Sequence, residues 1–151
     1  MPPEANCQLP SSTFAATAAH RAVSRARPTI LIADDSADSR EVMELLLENE
    51  GYQVAAAGDG LRAIEVALQT LPDLLLIDLD LPELDGLSVV RDLRSRPQFA
   101  SMPIVIVSGH DPIKYRQVAL DAGCDDYILK PINFNRLHET IENARRLIHP
   151  T

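Results

Sequence analysis

Leu74-Leu75-Leu76-Ile77 is a run of four large aliphatic residues that ends in a carboxylate, Asp78, with Pro72 and Pro82 on either side. An unbroken aliphatic run of this length between prolines predicts a strand buried on both faces, as at the centre of a parallel sheet. Asp78 then stands where the strand leaves the core. Ligands of open parallel sheets collect outside the carboxyl ends of the strands, so an acid at this point reads as a site residue, with a turn or cap residue as the plainer alternative.

Three further runs end the same way. Thr29-Ile30-Leu31-Ile32-Ala33 leads into Asp34-Asp35, Ile104-Val105-Ile106-Val107 into Ser108-Gly109, and Tyr127-Ile128-Leu129 into Lys130-Pro131. If these strands are parallel, Asp34, Asp35, Asp78, Ser108 and Lys130 meet at one edge of the sheet. Three acids, one hydroxyl and one ammonium are the set that a divalent cation and a phosphoryl group require.

Between these runs the pattern after Pro28 alternates strand and helix. Ser36 or Asp38 can cap the first helix, with Val42, Leu45 and Leu46 expected on its apolar face and Gly51 as its stop. Tyr52 to Ala57 reads as a second strand, Gly58-Asp59-Gly60 as a turn, and Leu61 to Leu71 as a helix with Leu61, Ile64 and Leu68 at helical spacing. A third helix is expected from about Leu87 to Arg94, and Pro97 and Pro103 bracket a linker. Asp111-Pro112 starts a fourth helix and Gly123 stops it. The fifth strand is expected over Asp126 to Leu129, and a last helix from Phe134 to Ile148 with Leu137, Ile141, Ala144 and Ile148 inward. Strands and helices alternating at such short spacing imply an α/β, doubly wound five-stranded parallel sheet with helices on both faces.

The 151 residues have room for one domain with a sizeable core, and the net charge of -8 argues against direct binding to nucleic acid, which needs a basic face. Cys7 and Cys124 have no spacing that suggests a disulfide framework or a zinc site, which fits a reduced, cytoplasmic compartment. No apolar run approaches the length of a membrane span. Residues 1–27 are rich in Pro, Ser, Thr and Ala without sustained periodicity and are expected to be a disordered leader; they lack the apolar core of a targeting peptide. His20, His138 and His149 share no metal spacing, Arg145-Arg146 suits the C-terminal end of a helix dipole, and Glu41, Glu44 and Glu48 read as a solvated helix face.

Taken in order, Asp34-Asp35, the stretch Asp78-Leu79-Asp80-Leu81-Pro82-Glu83-Leu84-Asp85-Gly86, Ser108-Gly109, and Asp125-Asp126-Tyr127-Ile128-Leu129-Lys130-Pro131 resemble the receiver domain of the two-component response regulators. The resemblance spans about Pro28 to His149 and implies a flavodoxin-like strand order, 2-1-3-4-5. It implies that Asp78 is the phosphoacceptor, and that Asp34, Asp35, Asp78 and the backbone carbonyl of Asp80 hold Mg2+ or Mn2+, Asp35 directly and Asp34 through water. Ser108 and Lys130 would contact the phosphoryl oxygens, and Tyr127 would change rotamer on activation. Lys130-Pro131 is expected to be a cis peptide on the same ground. The face of the fourth helix, fifth strand and fifth helix would report phosphorylation.

The implied partners are a sensor histidine kinase or a histidine phosphotransfer protein and an unknown downstream protein, with the chain a monomer or a weak dimer through that face. With no output domain after residue 149, a stand-alone receiver is expected. Asp80 and His110 border the approach of hydrolytic water and are expected to set the lifetime of the acyl phosphate. Two rivals use the same residues: an aspartate-nucleophile phosphatase of the haloacid dehalogenase type, whose opening motif resembles Asp78-Leu79-Asp80, and a receiver-like docking module that is never phosphorylated. In the first the acid pair comes late in the chain, whereas Asp34-Asp35 precedes Asp78. The second would be expected to lack an acid, the hydroxyl or the lysine, and here all are present.

Overall fold

The computed structural model describes residues 27–148. The leader expected over residues 1–27, Arg27 apart, lies outside the described residues, as do Cys7, His20 and His149 and the side chains of Arg145 and Ile148. The elements in chain order are β1 (Thr29–Ala33), α1 (Ala37–Asn49), β2 (Gln53–Ala57), α2 (Gly60–Thr70), β3 (Leu74–Ile77), α3 (Gly86–Arg94), a 3-10 turn (Pro97–Phe99), β4 (Ile104–Ser108), α4 (Pro112–Ala122), β5 (Asp126–Leu129) and α5 (Phe134–Ile148). The sheet runs β2-β1-β3-β4-β5, with every neighbouring pair parallel. This is the doubly wound, flavodoxin-like order.

The aliphatic runs are unbroken because alternate side chains of each central strand enter two different cores. In β3, Leu75 and Ile77 pack with Leu31, Ile104 and Ile106 against Ala63, Val66 and Ala67 of α2, Val89, Val90 and Leu93 of α3, and Ala119 and Ala122 of α4. Leu74 and Leu76 face the other way, with Ile30, Ile32, Val105 and Val107, onto Met43 and Leu47 of α1 and Leu137, Ile141 and Ala144 of α5. Each such side chain contributes about 1.5–3 kcal/mol on full burial, so the sheet centre fixes the architecture.

The first two helices turn faces to the sheet other than those expected. In α1, Met43 and Leu47 are buried, whereas Val42 and Leu45 are 50% and 64% exposed and Leu46 is also exposed. Three consecutive leucines span 200° of a helix at about 100° each, so one of them reaches the sheet, and it is the one a turn after Met43. In α2, Leu61 and Leu68 are exposed and Ile64 is only partly covered; the helix lies on the sheet through Ala63, Val66 and Ala67, small enough to let it approach closely.

Register carries the strand ends to one rim. Ala33 pairs with both Ala57 and Ile77, Ile77 with Ile106, and Ser108 with Leu129. At the opposite rim the Arg94 guanidinium gathers loose ends: it donates to the carbonyls of Gly123 (2.8 Å), Phe99 (2.7 Å) and Met102 (2.6 Å) and to Asp125 Oδ2 (2.8 Å). Cys124, beside it, is a buried small residue whose thiol pKa burial pushes up to about 11. No helix among the described residues is long and apolar enough to cross a membrane.

Candidate functional site

Asp78 follows β3 directly and is buried; its N–H continues the ladder to the Ala33 carbonyl at 2.9 Å. Its Oδ1 accepts the Asp80 N–H at 3.1 Å, and its Oδ2 accepts the Lys130 ammonium at 2.8 Å. Asp34, also buried, stands at the end of β1, with Oδ1 accepting Ser36 N–H at 2.9 Å and Oδ2 accepting the same ammonium at 3.0 Å. Asp35 is exposed. One carboxylate oxygen from each of Asp34, Asp35 and Asp78 lies within 4.8 Å of the others.

Like charges at that distance repel, and Lys130 is the cation between them. Burial alone would lower its pKa, but hydrogen bonds and charge from Asp78 and Asp34 outweigh burial and raise it above the usual lysine value. The ammonium is therefore fixed as a charge. Its backbone is anchored at the end of β5, where Lys130 N–H donates to the Ser108 carbonyl at 2.7 Å. The Lys130-Pro131 peptide is cis.

Close backbone approach also shapes the site. At Gly86, the first residue of α3, a Cβ would lie 2.2 Å from the Asp78 carbonyl oxygen, so only glycine lets this helix start against the acid's own backbone. Asp85 caps the helix through Ser88 N–H at 2.9 Å.

Ser108 is fully buried, and its Oγ accepts the His110 N–H at 3.1 Å. Tyr127 is buried as well; its hydroxyl donates to the His110 carbonyl at 2.9 Å, and burial raises the phenol pKa against an opposing hydrogen bond with Ser108. Ser108 and Tyr127 thus meet at the β4–α4 loop, while the acids and Lys130 meet at the ends of β1, β3 and β5. His110 Nε2 reaches Asp80 Oδ2 at 2.6 Å, and its ring lies 4.8 Å from that of Tyr115 in α4. Asp80 and His110 therefore form a direct bridge, where the sequence suggested only that they border the same space.

Two residues of the site have no role assigned from the sequence. Gly86 is one, named there only as the last residue of the stretch from Asp78. Arg40 is the other: from α1 it donates to the Asp34 carbonyl at 2.6 Å. No spacing signal marks it, because it touches a backbone atom.

The donor set suits a hard cation. Three carboxylates supply oxygen only, few enough for an ion that keeps several waters, and the Asp80 carbonyl accepts no hydrogen bond from any described residue. Mg2+ or Mn2+ matches that chemistry; a soft metal does not.

The profile of the response regulator receiver domain matches residues 30–142. Response regulator MprA of Mycobacterium leprae is 38% identical over 122 residues, which is 81% of this chain and 51% of that protein. The chain thus spans about half the length of the curated relatives it matches. Among solved structures, chemotaxis protein CheY4 of Vibrio cholerae aligns at a TM-score of 0.75 with 26% identity, covering 79% of this chain and 99% of that one. The receiver domain of sensor histidine kinase PA1611 of Pseudomonas aeruginosa aligns at 0.72 with 30% identity, covering 78% and 97%, and carries a magnesium ion coordinated in its active-site cleft.

Proposed function

Because this chain belongs to the response regulator receiver domain family, we propose that Asp78 accepts a phosphoryl group from a histidine kinase or a histidine phosphotransfer protein. The observation that carries this reading is the Lys130 ammonium held at 3.0 Å and 2.8 Å between Asp34 and Asp78, beside the exposed Asp35. A carboxylate nucleophile needs its charge offset before an anionic donor can approach, and Lys130 supplies part of that offset. An Asp78 oxygen forms the new bond to phosphorus as the P–N bond to the donor imidazole breaks; the electron pair stays on the imidazole, which is neutralised by a proton from solvent. Asp34, Asp35, Asp78 and the Asp80 carbonyl would hold Mg2+, which when bound neutralises phosphoryl oxygens. Lys130 and Ser108 would bind the remaining phosphoryl oxygens.

Switching follows from what Ser108 carries with it. Its hydroxyl can donate to a phosphoryl oxygen while Oγ still accepts the His110 N–H, so the loop that also receives the Tyr127 hydroxyl moves with it. The face of α4, β5 and α5 then presents a different surface to a downstream protein, or to a second copy of the chain as a weak dimer, as a shift between two existing states. Asp80 and His110 set the lifetime of the acyl phosphate, because their bridge stands where water would approach it. Decay measured for Asp80→Asn and His110→Ala should differ from wild type; unchanged decay in both would refute this role.

The phosphoacceptor reading is tested by incubating the protein with acetyl phosphate and following intact mass. A gain of one phosphoryl group that requires Mg2+ and is lost in Asp78→Asn supports it. Continuous turnover of the donor without a labelled protein favours the phosphatase, and no reaction favours a docking module.

A further inference from the structure

Asp35 presents a puzzle of support. Asp34 has all four of its polar atoms engaged: N–H to the Ala57 carbonyl at 3.1 Å, Oδ1 from Ser36, Oδ2 from Lys130, and its carbonyl from Arg40. The Asp35 side chain makes no hydrogen bond or ion pair with any described residue, yet its carboxylate lies within 4.8 Å of the other two. Its aim is therefore inherited from the backbone. The Asp34 carbonyl and the Asp35 N–H belong to one planar peptide group, so whatever grips that carbonyl sets the plane from which Asp35 departs.

Arg40 has that grip and a seat for it. It stands in the first turns of α1, its own N–H bonded to the Ser36 carbonyl at 3.0 Å, and its Nη1 reaches the Asp34 carbonyl at 2.6 Å. A Cβ on Gly58 would lie 3.1 Å from Nη1, 3.5 Å from Cζ and 3.7 Å from Nη2, so the guanidinium rests against the bare backbone after β2. Among the described residues it forms no ion pair with a carboxylate. A guanidinium that bonds the backbone carbonyl of a site acid, and pairs with no carboxylate of the described residues, is placed for geometry.

We propose that Arg40 is a positioning residue for the cation site: seated against Gly58, it holds the Asp34–Asp35 peptide so that the Asp35 carboxylate faces Asp78. This rests on the reading of Asp34, Asp35 and Asp78 as the place where Mg2+ binds. Two physical effects of Arg40 have opposite signs there, which makes the proposal decidable. As a bare positive charge it repels a cation, so removing it would tighten Mg2+ binding. As a positioning residue it preorganises a ligand, so removing it weakens binding.

The test is calorimetric titration of the full chain with Mg2+, without any phosphodonor. Arg40→Met is expected to weaken binding about tenfold, in the range known for residues that orient metal ligands. Arg40→Lys keeps a donor able to reach the carbonyl and should recover most of the affinity. Gly58→Val, which fills the seat without touching an acid, should weaken binding in the same direction and keeps the test open if Arg40→Met does not fold. In an Asp35→Asn background, Arg40→Met should cost little more, because the ligand it orients is already gone. Unchanged or tighter binding by Arg40→Met, or by Gly58→Val, overturns the proposal while leaving the site intact. Wild-type protein that binds no Mg2+ overturns the cation-site reading itself, and this proposal with it.

Discussion

Replacing Lys130 by methionine removes the ammonium that bonds both Asp34 and Asp78 while keeping most of the length of the side chain. Its Nζ is 3.0 Å and 2.8 Å from the two carboxylate oxygens, the lysine side chain is 28% exposed, and those of Asp34 and Asp78 are 11% and 10%. At an effective dielectric of about 20, each contact represents roughly 5–6 kcal/mol of raw attraction, most of it cancelled by desolvation of the three groups. Breaking a buried pair costs about 3–5 kcal/mol and an exposed one about 0–1, so this partly shielded bridge should cost about 2–3 kcal/mol. The loss is sustained by what remains: carboxylate oxygens within 4.8 Å of each other repel by about 3 kcal/mol per pair at the same dielectric.

Urea unfolding at neutral pH with a chelator present reads this directly. Lys130→Met should be less stable than wild type by that amount, and Mg2+ should stabilise the variant more than it stabilises wild type, because the cation then has no ammonium to compete with. A variant within about 0.5 kcal/mol of wild type in chelator would refute the reasoning, since that is the range of a surface substitution with no special role.

The raised pKa of Lys130 fixes a pH dependence: stabilisation by the charged ammonium is complete below the unfolded value of 10.5 and lost as pH rises through the higher folded value. Denaturant titrations across that alkaline window should show wild type falling toward Lys130→Met. Gly86→Ala places a methyl 2.2 Å from the Asp78 carbonyl, so it should destabilise the fold by about 1–3 kcal/mol and weaken Mg2+ binding as Asp78 shifts. Arg94→Met should destabilise by about 3 kcal/mol in thermal or urea unfolding, because it strips donors from the Gly123, Phe99 and Met102 carbonyls and from Asp125. It should leave Mg2+ affinity unchanged, the site being at the other rim of the sheet.

What the sequence made legible follows from which contacts have a sequence signature. A parallel strand covered on both faces must be an unbroken aliphatic run, so β1, β3 and β4 are readable, and the polar residues ending them are readable as neighbours. Helix faces are less so. Leu45, Leu46 and Leu47 satisfy a helical pattern in more than one phase, and only the position of the sheet selects Leu47. Contacts to backbone atoms leave no pattern at all: Arg40 on the Asp34 carbonyl, the bare Cα of Gly86 on Asp78, and Arg94 reaching Gly123 across 29 positions are visible only in three dimensions. The bridge from His110 to Asp80 lies between these cases, since both residues could be placed at the site but not in contact.

The central claim is that this rim of the sheet prepares one carboxylate among three to receive a phosphoryl group. The most direct measurement is to treat the protein with acetyl phosphate and Mg2+, reduce the acyl phosphate with borohydride, and map the altered residue by peptide mass spectrometry. The account predicts modification at Asp78 alone, and none when Mg2+ is chelated. Modification at Asp34 or Asp35, or an unmodified Asp78 under conditions where Mg2+ is bound, would contradict it.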